Sequence, residues 1–91
     1  IVAHSDEIVK DWEGCLSVPG IRGLVPRYRK IEVEYIDRNG NLVNQQLTDF
    51  VARIFQHEYD HFEGLVFLDR VESTFDIVTE QEYQNLMFEK L

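Results

Sequence analysis

A single cysteine, Cys15, among 91 residues excludes an intrachain disulfide, makes a reducing compartment the default, and leaves the thiol free for other chemistry. Basic side chains are scarce: 9 Lys and Arg stand against 17 Asp and Glu, for a net charge of −8. Phosphate binding relies on clustered cations, so nucleic acid is excluded as the main partner. Long apolar runs are missing too. The longest, Leu65-Val66-Phe67-Leu68, is far short of a bilayer span, which points to a soluble protein with no membrane partner. There is no repeat, low-complexity tract or linker, so residues 1–91 read as one domain. No cationic start leads into an apolar stretch, so no signal peptide is expected, and the start at Ile1 suggests a processed chain or a fragment. A domain this short is marginally stable unless a metal, a partner or a further segment supports it.

The first dozen residues follow neither helical nor strand period and read as a connecting segment. Around Cys15, alternation predicts a short strand ended by a Pro19-Gly20 turn. Between Lys30 and Ile36, apolar Ile31, Val33 and Tyr35 alternate with Glu32 and Glu34, as in a half-buried strand. A three-residue loop, Arg38-Asn39-Gly40, keeps the faces of the hairpin matched by pairing Ile31 with Leu47 and Tyr35 with Val43, with Gly40 at positive φ. Thr48 as N-cap and Gly64 past the last turn bound a helix from Thr48 to Glu63. On its wheel Phe50, Ile54, His57 and His61 fall within roughly 60° of one another, predicting an inward apolar face that carries both histidines. Arg53, Gln56, Asp60 and Glu63 fall on the other side. Leu65 to Leu68 suggests a short extended piece. Thr79-Glu80-Gln81-Glu82 has the form of a capping box, with Val78 and Tyr83 as a staple, opening a packing helix with the stripe Tyr83, Leu86, Met87 and Leu91. The expected class is α+β: a small antiparallel sheet packed around a central metal-binding helix, with a C-terminal helix outside.

The most specific chemistry lies in His57-Glu58-Tyr59-Asp60-His61. Histidines at i and i+4 project from the same side of a helix and can grip one ion, while the glutamate after the first lies beside the ion and can exchange a proton with water. Two core histidines with a buried Glu58 would instead need three separate hydrogen-bonding solutions. The third ligand is open on spacing alone: Glu63, Asp69, Glu72 or Asp76 downstream would suit a zinc endopeptidase, and Cys15 upstream would add a thiolate. A closed structural metal site is a further alternative. Phe50 and Ile54 are either an apolar pocket beside the metal or ordinary core. Arg22 and Arg53 either touch substrate or face solvent, and His4 reads as a surface residue.

Taken together, Glu13-Gly14-Cys15-Leu16-Ser17 and His57-Glu58-Tyr59-Asp60-His61 resemble the second and third motifs of the peptide deformylases. The similarity runs from about Asp11 to Arg70 and includes Val18-Pro19-Gly20, Leu24-Val25-Pro26-Arg27 and Arg53-Ile54-Phe55-Gln56. The resemblance implies a metallohydrolase that removes the formyl group from formyl-methionyl nascent chains at the ribosome and releases formate. Cys15, His57 and His61 would be the metal ligands and Glu58 the catalytic acid/base. Leu16, through its backbone N–H, would hold the formyl oxygen, with Gly14, Phe50 and Ile54 at the substrate. The cofactor implied is one divalent ion, Fe2+ or Zn2+, with Ni2+ or Co2+ as substitutes, and the setting is a bacterial-type cytoplasm or an organelle stroma or matrix. The family's first motif, Gly-x-Gly-x-Ala-Ala-x-Gln, has no counterpart here, so the chain is expected to be the C-terminal part of such a domain. Losing that glutamine's oxyanion donor would cost about a hundred- to a thousandfold in rate.

Overall fold

In a computed structural model of the chain, residues 1–89 are described; Leu91, expected on the last stripe, lies outside them. The elements in order are β1 (Ala3–His4), β2 (Ile8–Cys15), β3 (Val18–Tyr28), β4 (Lys30–Ile36), β5 (Leu42–Thr48), α1 (Asp49–Phe62), two short 3-10 turns (Phe67–Arg70 and Thr74–Asp76), β6 (Ile77–Thr79) and α2 (Glu80–Glu89). The class is α+β. The strands form two antiparallel three-stranded sheets, ordered β1-β4-β5 and β2-β3-β6, where one sheet was expected. Helix α1 packs on β3, β4 and β5, and α2 lies against β3 and β6.

The β4–β5 hairpin has the predicted register, with Ile31 opposite Leu47 and Tyr35 opposite Val43. Asp37 and Asn41 close the three-residue loop, and Gly40 sits at φ +81, where a Cβ would be strained. The end of α1 is a Schellman motif: Leu65 N–H reaches the Asp60 carbonyl and Gly64 N–H that of His61, with Gly64 at φ +79.

Several expectations fail for identifiable reasons. The first dozen residues are not a connector, because β1 pairs with β4 and β2 with β3. The β1–β4 pairing is long-range, and in the β2–β3 hairpin Val9-Lys10-Asp11-Trp12 carries no alternation to announce a strand. Pro19-Gly20 lies inside β3; the reversal comes earlier, at Leu16-Ser17, between Cys15 and Val18, which pair. Register shifts between Glu13 and Cys15, and Gly20 at φ +84 absorbs residues that β2 cannot match. Thr48 does take the expected N-cap position, with extended backbone as the last residue of β5, but its side chain makes no cap bond, and Asp49 makes the bend into the helix at φ +54. Phe67–Arg70 is a 3-10 turn, and Phe67 packs so closely on β3 that a Cβ on Gly23 would lie 3.2 Å from its ring.

The largest correction concerns the face of α1. Its buried residues are Ala52, Arg53, Gln56 and Asp60, while Phe50 is 72% and Phe62 90% exposed, and Val51 and Ile54 are exposed as well. The helix is thus turned polar side in. The apolar core is small: Ile31, Val33 and Ala52, flanked by Tyr28, Leu47 and Phe55, with Val25 and Phe67 buried elsewhere. Buried beside these are Glu13, Arg27, Arg53, Gln56 and Asp60, and among the described residues every buried side-chain nitrogen and oxygen has a partner. The Cα radius of gyration is 15.1 Å, against roughly 12 Å for a compact domain of this length. Among the described residues no helix is long and apolar enough to cross a membrane.

Candidate metal centre

Cys15 ends β2 at the mouth of the tight reversal, and His57 and His61 lie one turn apart on α1. The folding of β2 and β3 against α1 brings one donor atom from each within 4.8 Å of the others. Cys15 Sγ is 3.5 Å from His61 Nε2, and the two imidazole centroids are 4.6 Å apart. Metal bonds of 2.0–2.3 Å at tetrahedral angles separate donor atoms by roughly 3.3–3.6 Å, so the set would have to close by about 1 Å at most to hold one metal ion. Among the described residues no fourth Cys, His, Asp or Glu joins the cluster, whereas a structural zinc site is closed by four.

The downstream acids are engaged elsewhere. Asp69 accepts from the Val66 N–H at 2.8 Å, Glu72 and Asp76 pair with Lys10 at 2.8 and 3.6 Å, and Glu63 caps the exposed end of α1.

The orientation of His57 follows from a residue that the sequence pattern did not single out. Glu13 is buried, and burial opposes its charge; hydrogen bonds from Arg27, His57 and Arg53 outweigh this and hold its carboxyl below the ordinary 4.5. A carboxylate can only accept, so His57 Nδ1, 2.9 Å from Glu13 Oε1, carries the proton, leaving Nε2 for a cation. Burial pushes the His57 pKa down, but Glu13 and the neighbouring Cys15 sulfur raise it above 6.5 on balance. For Cys15 the backbone N–H of Ser17 is the strongest influence and lowers the thiol below 9.0; burial opposes this, and the Ser17 hydroxyl and His57 assist. Thiolate is the form that binds metal.

Behind the donors runs a continuous charged network. Arg27 donates to both Glu13 oxygens at 2.9 and 3.0 Å and to Asp60 at 2.6 Å, and Asp60 takes two further bonds from Arg70 at 3.0 Å. Arg53 is buried, donating to Glu13 and to the carbonyls of Val9 and Val25, so it neither faces solvent nor reaches the cleft as a free cation. Gln56 accepts from the Tyr28 N–H and donates to the Tyr28 carbonyl, extending the β3 ladder onto the helix. One signal could have revealed this set: a metal-bound imidazole needs an acceptor for its other nitrogen, and Glu13 was available in the cysteine motif.

The remaining predicted residues surround the cluster. Glu58 is exposed on the rim of a hollow of about 290 Å³, which Trp12, Phe50, Ile54 and His57 help to line. Phe50 and Ile54 are therefore not core. The Leu16 side chain is 99% exposed at the reversal, placing its backbone between Cys15 and Ser17. At Gly14 a Cβ would come within 2.9 Å of Arg22 Cδ, so the glycine is what lets Arg22 lie across the strand beside Cys15. Arg22 itself bonds Glu80 at 2.7 Å. His4 is exposed, with its ring stacked on Tyr28 at 3.7 Å. A larger hollow of about 450 Å³, lined by Pro26, Tyr28, Tyr59 and Arg70 among others, includes none of the three donor residues.

Residues 1–75 match the profile of the family described as Polypeptide deformylase. Over 87 residues the chain is 70% identical to peptide deformylase 2 of Nostoc sp., covering 96% of this chain and 49% of that protein. Its fold superimposes on a class I type b peptide deformylase of Acinetobacter baumannii, solved with Met-Ala-Ser bound, with a TM-score of 0.73 and 42% identity over 78% of this chain and 45% of the other. A peptide deformylase of Synechococcus elongatus in complex with actinonin gives a TM-score of 0.75 and 37% identity over 82% of this chain and 41% of the other. The chain thus spans about half the length of the relatives it matches. Sequence profile, close relatives and superimposed backbone agree with the two motifs gathered at the cluster: this chain belongs to the polypeptide deformylase family.

Proposed function

We propose that the chain is the C-terminal, metal-binding part of a peptide deformylase domain, an amide hydrolase that removes the formyl group from formyl-methionyl chains as they leave the ribosome. The observation that carries this reading is the convergence of Cys15, His57 and His61 within 4.8 Å, with Glu58 on the rim of the adjoining hollow. Those three residues would hold one divalent ion, Fe2+ or Zn2+, with Ni2+ or Co2+ as working substitutes. When bound, such an ion polarises the formyl oxygen and makes water acidic enough to attack near neutral pH.

The chain's own groups supply the rest. Glu13 fixes the His57 tautomer with the proton on Nδ1, so that Nε2 would be free to hold the ion beside the Cys15 sulfur. Glu58 takes the proton from the attacking water and returns it to the departing amine. The backbone N–H of Leu16 donates to the oxygen on which negative charge develops. Phe50 and Ile54 give the adjoining hollow an apolar wall for the methionine side chain. The Met-Ala-Ser bound to the Acinetobacter baumannii relative supports a peptide that begins with methionine and continues for at least two residues. A substrate of this kind places the protein in a bacterial-type cytoplasm or an organelle stroma or matrix.

The test is formate release from formyl-Met-Ala-Ser by the full-length protein containing this chain, together with metal analysis. Glu58→Gln is expected to retain its metal and lose turnover about 10²- to 10⁴-fold. A structural site would show intact metal with no turnover to lose in either protein. Wild-type levels of formate release from Glu58→Gln would overturn the role given to that carboxylate.

A further inference from the structure

Two hollows meet beside Cys15. The first, of about 290 Å³, is bounded by Phe50, Ile54, His57 and Glu58; the second, of about 370 Å³, is bounded by the Cys15–Ile21 reversal and by Glu80 at the start of α2. Gly14 and Arg22 belong to both. Arg22 lies flat over Gly14, so its side chain is the partition between them. Its position is held from three directions. Nε donates to Glu80 Oε2 at 2.7 Å, Nη2 approaches Glu80 Oε1 at 3.4 Å, and the guanidinium carbon sits 4.5 Å from the centroid of the Tyr83 ring, which Trp12 meets edge-on at 5.9 Å. Glu80 and Tyr83 both belong to α2, so the last helix determines where this cation stands and how much of its charge is neutralised.

No other charged side chains line the second hollow among the described residues. Arg53, the other cation beside the first hollow, is committed to Glu13 and two carbonyls. With its formyl end at Cys15 and Glu58 and its methionine side chain against Phe50 and Ile54, a peptide that continues into the adjoining second hollow passes Gly14 and Arg22, which line both. The residues that follow the methionine therefore meet a cation already paired with a carboxylate. We propose that Glu80 is a specificity-determining positioning residue that acts through Arg22: by neutralising and anchoring that guanidinium, α2 lets the cleft accept downstream residues of either charge. This rests on the deformylase reading above. Newly made chains have every kind of residue at those places, and a bare arginine would sort them by charge.

The experiment compares formyl-Met-Ala-Ser, formyl-Met-Ala-Glu and formyl-Met-Ala-Lys as substrates, and measures binding of the corresponding deformylated tripeptides. The full-length protein is used as wild type, Glu80→Gln, Arg22→Gln and Glu80→Asp. Wild type is expected to treat the Glu and Lys peptides alike within a factor of about two. Glu80→Gln should shift KM and Kd in favour of the Glu peptide, and Arg22→Gln in favour of the Lys peptide, each by about two- to fivefold, the range for a single partly exposed ion pair. Glu80→Asp should restore indifference. Unchanged Glu-to-Lys ratios in both glutamine variants would overturn the proposal. So would an equal loss for all three peptides, which would make α2 a packing element alone. Should wild type release no formate from any peptide, the deformylase reading fails and this one with it; turnover with immovable ratios would sink only the role of Glu80.

Discussion

The carboxylate of Glu13 accepts from Arg27, Arg53 and His57 at once, and an amide in its place would leave the buried Arg53 without an anion and Arg27 with Asp60 alone. Glu13→Gln is therefore expected to destabilise the protein by about 3–5 kcal/mol, the range for breaking a buried ion pair from one side. It should also weaken metal binding by up to about 10- to 100-fold, because a neutral amide oxygen is a poorer acceptor for His57 Nδ1 than a carboxylate. Urea unfolding and chelator competition measure the two effects separately. That His57 and His61 would share one side of α1 was legible because i, i+4 histidines stand out in any window; their gathering with Cys15 is a matter of the fold. The buried charges were not legible. Glu13 meets partners 14 and 40 positions away, and nothing local distinguishes Arg53, which the wheel assigned to solvent, from an ordinary surface arginine.

Among the elements, α2 is tied to β3 partly by the Arg22–Glu80 pair, about one-third exposed on each side. The hydrogen bond from Arg22 is the main reason that the Glu80 carboxyl lies below its ordinary 4.5, with slight burial opposing. A depressed carboxyl stabilises the docked state above the unfolded value, and that contribution is lost as pH falls through the lower folded value. Amide protection along α2 should therefore drop as pH falls below the ordinary carboxyl value of 4.5, measured by hydrogen exchange, and Glu80→Gln should flatten that dependence. At the other helix, Gly64 occupies the left-handed region with open space around its Cβ position, so Gly64→Ala meets backbone strain alone. A loss of roughly 1–2 kcal/mol in urea unfolding is expected. The hairpin and the C-terminal end of α1 could be read from sequence because their determinants, Gly40 and Gly64, are local. The Thr79 start of α2 was legible for the same reason: its hydroxyl accepts from the Glu82 N–H at 3.1 Å. The β2–β3 pairing was not, since its register breaks at Gly14 and its turn falls at Leu16-Ser17 without the usual Gly or Asn.

For the molecule as a whole, the uncovered side of α1 is the dominant surface feature. Phe50, Val51, Ile54 and Phe62 all stand in solvent on a body 46 Å long and 23–25 Å across. The helical spacing of apolar residues told truly which side chains share a face and misled on which face is buried, because directional bonds to Glu13, Arg27, Tyr28 and Arg70 hold the polar side against the strands. Phe62→Gln is expected to leave the unfolding free energy within about 0.5 kcal/mol, as for a side chain that touches little. It should also reduce concentration-dependent self-association of the 91-residue chain in sedimentation velocity, since apolar patches of this kind promote it.

The pair of hydrogen bonds between Gln56 and the backbone of Tyr28 has a mechanical corollary. Oily contacts let a helix roll or slip by fractions of a turn at small cost, whereas a primary amide clipped to both poles of one residue's backbone allows a single azimuth. His57 is the next residue along, so the imidazole inherits that indexing before any ion arrives. A roll by one position, about 100°, would break the clip and swing the ring off its bearing on the sulfur.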